Sequence, residues 1–139
     1  MSSIKDEIGI SASADKAYGA LTRQEGYRGW WNAAGDVAES VGGEAKLRFV
    51  KDGNPVNMRF RIEEMKPKEL VRWTCLEHDM PGWVGTTLTW RITDSGNGVL
   101  VSLDHGGWKG PPPEPVAQGW KHFMGSLKAY VETGTGQPW

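Results

Sequence analysis

Val56-Asn57-Met58-Arg59-Phe60-Arg61-Ile62-Glu63 decides the fold. Val56, Met58, Phe60 and Ile62 are apolar and alternate with Asn57, Arg59, Arg61 and Glu63. A sustained period of two is a β-strand with one buried and one solvated face. Upstream, Ala45, Leu47 and Phe49 alternate with Lys46 and Arg48, and Lys51-Asp52-Gly53-Asn54-Pro55 reads as the intervening turn. Downstream, Lys66-Pro67-Lys68-Glu69 makes a second turn. Val71, Trp73 and Cys75 then alternate with Arg72 and Thr74, and Leu88, Trp90 and Ile92 with Thr87, Thr89 and Arg91. Ser95-Gly96-Asn97-Gly98 is a hairpin signal, after which Val99, Val101, Leu103 and His105 share one parity.

The two ends complete the pattern. Residues 3–11 read as a strand because Ile4, Ile8 and Ile10 share one parity. Ser13 or Asp15 offers a cap for a short helix over 15–21, and Glu25 to Trp31 reads as a second one ending in Trp30-Trp31. Pro111-Pro112-Pro113 blocks helix upstream, whereas Pro115 suits a first helical turn. Val116, Trp120, Phe123, Met124, Leu127 and Val131 then follow helical spacing. They predict a helix over about 115–132, ended by Gly134 and Gly136. The expected class is α+β: a curved antiparallel β-sheet wrapped around a long C-terminal α-helix, with two short helices after the first strand. A one-sided sheet must cover its apolar face, and one long helix is available to do so. The space between them is the default binding site.

The length of 139 residues fits a single domain over residues 1–139. Net charge is −1, with 16 Lys+Arg against 17 Asp+Glu, interspersed and without a basic block. That gives no electrostatic footprint for nucleic acid and no polybasic patch for an anionic membrane. No apolar run approaches the ~20 residues of a membrane-spanning helix. The first residues lack the basic start and apolar run of a secretory leader, and the lone Cys75 suits a reducing compartment. A cytoplasmic protein without membrane insertion is the expectation.

Eight tryptophans are the outstanding feature. By parity, Met58, Phe60, Trp73, Leu88 and Trp90 face the helix, and Trp120, Phe123, Met124 and Leu127 face back. With Trp30, Trp31 and His105 they form the candidate lining of a cavity for an apolar or aromatic molecule. The same residue types also build a filled core, and the sequence leaves both readings open. Trp83 in Gly82-Trp83-Val84-Gly85 and Trp108 in Gly107-Trp108-Lys109-Gly110 read as loop residues, either capping the cavity or touching another protein. His105 is the best candidate for orienting a ligand or acting as general base, because its unperturbed pKa lies near neutrality. His122 is expected on the outer helix face. Glu77, His78 and Asp79 do not read as a metal set, since neighbours on a strand point opposite ways, and no metal or cofactor is expected. Cys75, on the inward parity, reads as a small apolar residue. There is no Gly-x-Ser-x-Gly elbow and no phosphate loop.

Three patches resemble one known family. They are Ser13-Ala14-Asp15-Lys16-Ala17-Tyr18 leading to Trp30-Trp31, Ile62-Glu63-Glu64-Met65-Lys66-Pro67 leading to Leu70-Val71, and Gly119-Trp120 followed by Ser126-Leu127-Lys128-Ala129-Tyr130. The chain resembles the helix-grip (START-like, SRPBCC) superfamily, in the branch related to the activator of Hsp90 ATPase. The resemblance implies a helix-grip fold. Functionally it spans lipid and hormone binders, aromatic cyclases, dehydrases and chaperone regulators, since one fold hosts many functions. Binding of a small hydrophobic or aromatic molecule is the first expectation. The alternatives are a cyclase, dehydratase or hydrolase using His105, and a chaperone-regulator-like module with an exposed apolar patch around Trp83 and Trp108. An uncovered edge strand leaves homodimerisation open.

Overall fold

The computed structural model describes residues 2–138; Trp139 lies outside them. Along the chain run β1 (Ser2–Ile10), α1 (Ala14–Thr22), α2 (Gln24–Trp30), β2 (Ala34–Val37), β3 (Glu44–Lys51), β4 (Asn54–Lys66), β5 (Leu70–His78), β6 (Thr87–Asp94), β7 (Val99–Trp108) and α3 (Glu114–Thr133). The strands form one antiparallel sheet in the order β1-β7-β6-β5-β4-β3-β2. This is the helix-grip architecture expected above.

β4 carries the predicted alternation, with Val56, Met58, Phe60 and Ile62 all buried. Its pairing with β5 shifts register between Arg59 and Phe60 and again between Ile62 and Glu64. Such bulges bend a strand and increase its twist, which lets this 13-residue strand curve. They also explain why the burial alternation stops at Ile62. The turn before β4 is tighter than expected. Asp52 and Gly53, at φ 53° and 79°, make the two-residue connection, so Asn54 and Pro55 already belong to the strand.

Two boundaries differ from expectation. β2 was not foreseen as a separate strand, because Ala34-Gly35-Asp36-Val37 is short and mostly exposed at the sheet edge. Trp108 is not in a loop: it ends β7. The pairing of β1 with β7 shifts register opposite Gly106 and Gly107, and Gly107 sits at φ 87°. A bulge with left-handed glycine lets the strand run on.

The helices are placed by backbone-directed bonds. The Ser13 hydroxyl caps α1 by accepting from the Lys16 N–H at 3.2 Å. Tyr27 donates to the Leu21 carbonyl at 2.6 Å, and Trp30 Nε1 to the Ala20 carbonyl at 2.8 Å, locking α2 onto α1. On α3, Ser126 Oγ donates to the Trp30 carbonyl at 2.7 Å and accepts from the Gln137 N–H at 2.8 Å. Gly134 closes α3 in the left-handed conformation.

Candidate functional site

The space between sheet and α3 is largely filled. Phe60 packs on Trp73, Trp73 on Tyr27, Tyr27 on Trp30, Trp30 on Trp90 and Trp90 on Trp120, with ring centroids 4.9–5.8 Å apart. These are the separations of well-packed aromatic pairs. Trp30, Phe60, Trp73, Trp90 and Met124 are all buried in this cluster and form none of the walls of the groove described next. For these five, the structure realises the filled-core alternative.

The groove lies at one end of the cluster, along the first half of α3. Its volume is about 610 Å³. Four of the predicted residues, Trp31, Trp83, Trp120 and Phe123, are brought together in its walls. Phe49 from β3, Met80 and Val116 join them, with Pro115, Gln118, Gly119 and His122 at the helix. Phe49 and Val116 were legible as inward-facing but were not chosen, since nothing in an alternation says which inward residue borders a void. His122 is exposed, as expected, with Nε2 2.9 Å from the Pro138 carbonyl, yet it also borders the groove. No Lys, Arg, Asp or Glu contributes a wall.

Trp83 belongs to the β5–β6 loop but is only 5% exposed. Its ring stacks on His78 at a centroid distance of 4.1 Å and an angle of 18°, and lies 4.6 Å from the His105 ring. Gly82 and Gly85, both at φ 89°, bracket it and let the loop fold inward. Trp108 is 4% exposed and donates from Nε1 to the His105 carbonyl at 3.1 Å. The expected exposed patch around Trp83 and Trp108 is therefore corrected: both indoles pack against His105. The exposed large apolar residues among those described are Val41, Val50 and Val84.

His105 is fully buried and engaged at both nitrogens. Trp120 Nε1–H donates to Nδ1 at 3.0 Å, so the ring proton is on Nε2, which lies 3.0 Å from Thr86 Oγ1. Thr86 in turn donates to the Trp83 carbonyl at 2.6 Å. Burial, together with the neighbouring His78, lowers its pKa to about 3. The expectation of a general base is corrected accordingly. A base must reach substrate and take a proton, whereas this imidazole is inaccessible and stays neutral as the bridge between α3, β7 and the β5–β6 loop.

Other titratable groups are held structurally. His78 Nδ1 accepts from the Met80 N–H at 3.0 Å, and burial lowers its pKa to about 4. Asp79 accepts from the Asn57 backbone and side chain, and Glu77 binds Arg59. Glu77, His78 and Asp79 thus point to separate partners. Burial raises the Cys75 thiol to about 11, so it carries no thiolate at neutral pH. A second cleft, of about 980 Å³, opens beside β3, β4 and β5. It is larger, but its walls include Lys46, Arg48, Arg59, Glu77 and Asp79, with Arg59 already paired to Glu44 and Glu77. Met58, the remaining predicted site residue, lines this cleft rather than the apolar groove.

Comparison with known proteins agrees with the fold. The family described as Activator of Hsp90 ATPase homolog 1-like protein matches residues 11–132. The chain belongs to this family. The solution structure of the Aha1 dimer from Colwellia psychrerythraea is 30% identical with a TM-score of 0.77, covering 98% of this chain and 100% of its own. The crystal structure of CV1439 from Chromobacterium violaceum is 24% identical with a TM-score of 0.82, covering 94% and 96%. DynU16, of the dynemicin biosynthetic locus, shares the fold at 19% identity and a TM-score of 0.72, over 99% of this chain and 50% of that one. No curated protein matches. Among the described residues, no helix of this Aha1-like chain is long and apolar enough to cross a membrane.

Proposed function

We propose that this Aha1-like chain binds a small apolar or aromatic molecule in the groove between the first half of α3, Trp31, Phe49 and the β5–β6 loop. The observation that carries the reading is the wall composition: buried aromatic rings from the end of α2 (Trp31, its C-cap), β3, the loop and α3 surround one opening of about 610 Å³ without a charged side chain. That volume falls in the range of small-molecule sites, and burial of apolar surface supplies affinity at about 25 cal/mol per Å² before the costs of association.

Gly119 provides the test. It lines the groove on α3, has an ordinary helical φ, and a Cβ there would meet nothing nearer than Phe123 Cε2 at 4.0 Å. Gly119→Leu fills the groove while improving helix propensity, by roughly 1 kcal/mol for the Gly replacement. A panel of aromatic compounds and lipids is screened by tryptophan fluorescence and melting temperature. Hits on the wild type are expected to lose at least about tenfold in affinity on Gly119→Leu, with the unliganded melting temperature equal or higher. Unchanged affinity in that variant rules the groove out.

The family membership favours a second reading, a protein-binding regulator that can also self-associate. The Colwellia relative is a dimer, and β1 and β2 stand at the two edges of this sheet, each paired with one strand alone. Protein binding that survives Gly119→Leu supports this reading over the first.

A further inference from the structure

Among the described residues, two buried side-chain polar atoms have no hydrogen-bond partner: His78 Nε2 and Trp83 Nε1. They belong to two rings stacked on each other at 4.1 Å. Both are donors. The indole nitrogen has no other role, and His78 Nδ1 takes the Met80 N–H, which leaves the ring proton on Nε2. The indoles of Trp30, Trp108 and Trp120, by contrast, each donate to a protein acceptor. Buried donors are almost always paired, so two orphans on touching rings call for an acceptor the protein does not supply.

Trp83 is itself a wall of the apolar groove, and Met80, which binds His78, is another. The missing acceptor therefore lies next to a site for a flat apolar body. Its charge is constrained as well. No Lys or Arg lines the groove at Trp83, whereas His78, the last residue of β5, borders the second cleft with Lys46, Arg48 and Arg59. At Trp83, a neutral donor in a groove without a cation favours a neutral acceptor over a carboxylate, whose desolvation would go uncompensated.

We propose that the groove takes an uncharged aromatic ring system bearing a carbonyl oxygen, and that this oxygen accepts the unpaired N–H of Trp83. The inference rests on the groove being a ligand site, and it names the class of ligand: an aromatic ketone or quinone-like compound rather than a fatty acid. Trp31, Phe49, Trp120 and Phe123 hold the rings, and the loop donor sets the orientation. Both orphan nitrogens are closed to solvent in the unliganded chain, so the loop bracketed by Gly82 and Gly85 yields as the ligand enters.

The test uses three probes on the intact protein: fluorenone, its hydrocarbon counterpart fluorene, and hexadecanoate. Affinities come from tryptophan quenching, and the indole N–H resonances are followed by nitrogen-15 NMR, with Trp83→Phe assigning the Trp83 signal. Fluorenone is expected to bind about tenfold more tightly than fluorene, the worth of one well-made hydrogen bond. The Trp83 N–H is expected to move downfield with fluorenone and not with fluorene, and Trp83→Phe to abolish the preference. Should Trp83→Phe fail to fold, the wild-type indole shift and the fluorenone-to-fluorene ratio decide by themselves. Equal binding of the two, without an indole shift, overturns the inference, leaves the groove a ligand site and assigns the orphan donors to water. Tighter binding of hexadecanoate overturns the assigned class. No binding of any probe overturns both this inference and the ligand-binding reading beneath it.

Discussion

Acidification should unfold this protein through its buried imidazoles. In the unfolded chain a histidine titrates near 6.5. In the folded chain, burial depresses His105 to about 3 and His78 to about 4. Between these values the unfolded state binds more protons, so stability falls as pH falls. It is intact above about 6.5, and the loss is complete only below the folded pKa. The slope is about 1.4 kcal/mol per pH unit for each imidazole. At pH 5 the loss from fully buried His105 is about 2 kcal/mol; we discount half-buried His78 to about 1 kcal/mol for its contact with solvent. About 3 kcal/mol is a large share of the 5–15 kcal/mol typical of a domain. The carboxylates with depressed pKa, among them Glu63 and Glu132, titrate below this window. The assay is urea unfolding at unit steps from pH 8 to pH 5, on wild type and His105→Asn. Asparagine keeps an acceptor near Trp120 Nε1 but does not titrate. The variant starts less stable and should lose only about 1 kcal/mol across the window. Wild-type stability that stays flat from pH 8 to pH 5, or a variant as steep as wild type, refutes the assignment of His105 as a neutral structural bridge.

Two further outcomes follow from the packing. Ser126→Ala removes the hydroxyl that joins the Trp30 carbonyl to the Gln137 N–H, and should cost about 1–3 kcal/mol in urea unfolding by leaving buried groups unpaired. Gly107→Ala places a Cβ 3.2 Å from the Gly85 carbonyl at φ 87°, and should cost about 1–3 kcal/mol. Gly96→Ala, also at φ 88° but in open space, should cost less in the same assay, because it bears the backbone strain alone.

Local pattern reached far into this protein because its rules are local. Alternation at 45–49, 56–62, 71–75 and 88–92 named the buried faces of β3, β4, β5 and β6, since successive strand residues point to opposite sides. Helical spacing from Val116 to Val131 named the buried stripe of α3 for the same kind of reason. The sheet's edge strand β2 escaped notice, as it has little apolar surface to signal with.

The site was a different matter. Periodicity showed that Trp73, Trp90 and Trp120 point inward, but whether an inward ring fills space or borders it depends on what arrives from other elements. Trp30 packs on Trp90 and Trp73 joins them through Tyr27, while Trp120 ends at the groove beside Trp31, Phe49 and Trp83. His105 shows the same limit. Its parity was legible from the chain, yet its role was set by Trp120 of α3 and Thr86 of the β5–β6 loop, which meet its two nitrogens. Periodicity determines which face of an element leaves water. Only the tertiary packing of several elements decides where that packing stops, and with it where a ligand fits and which donors remain unpaired.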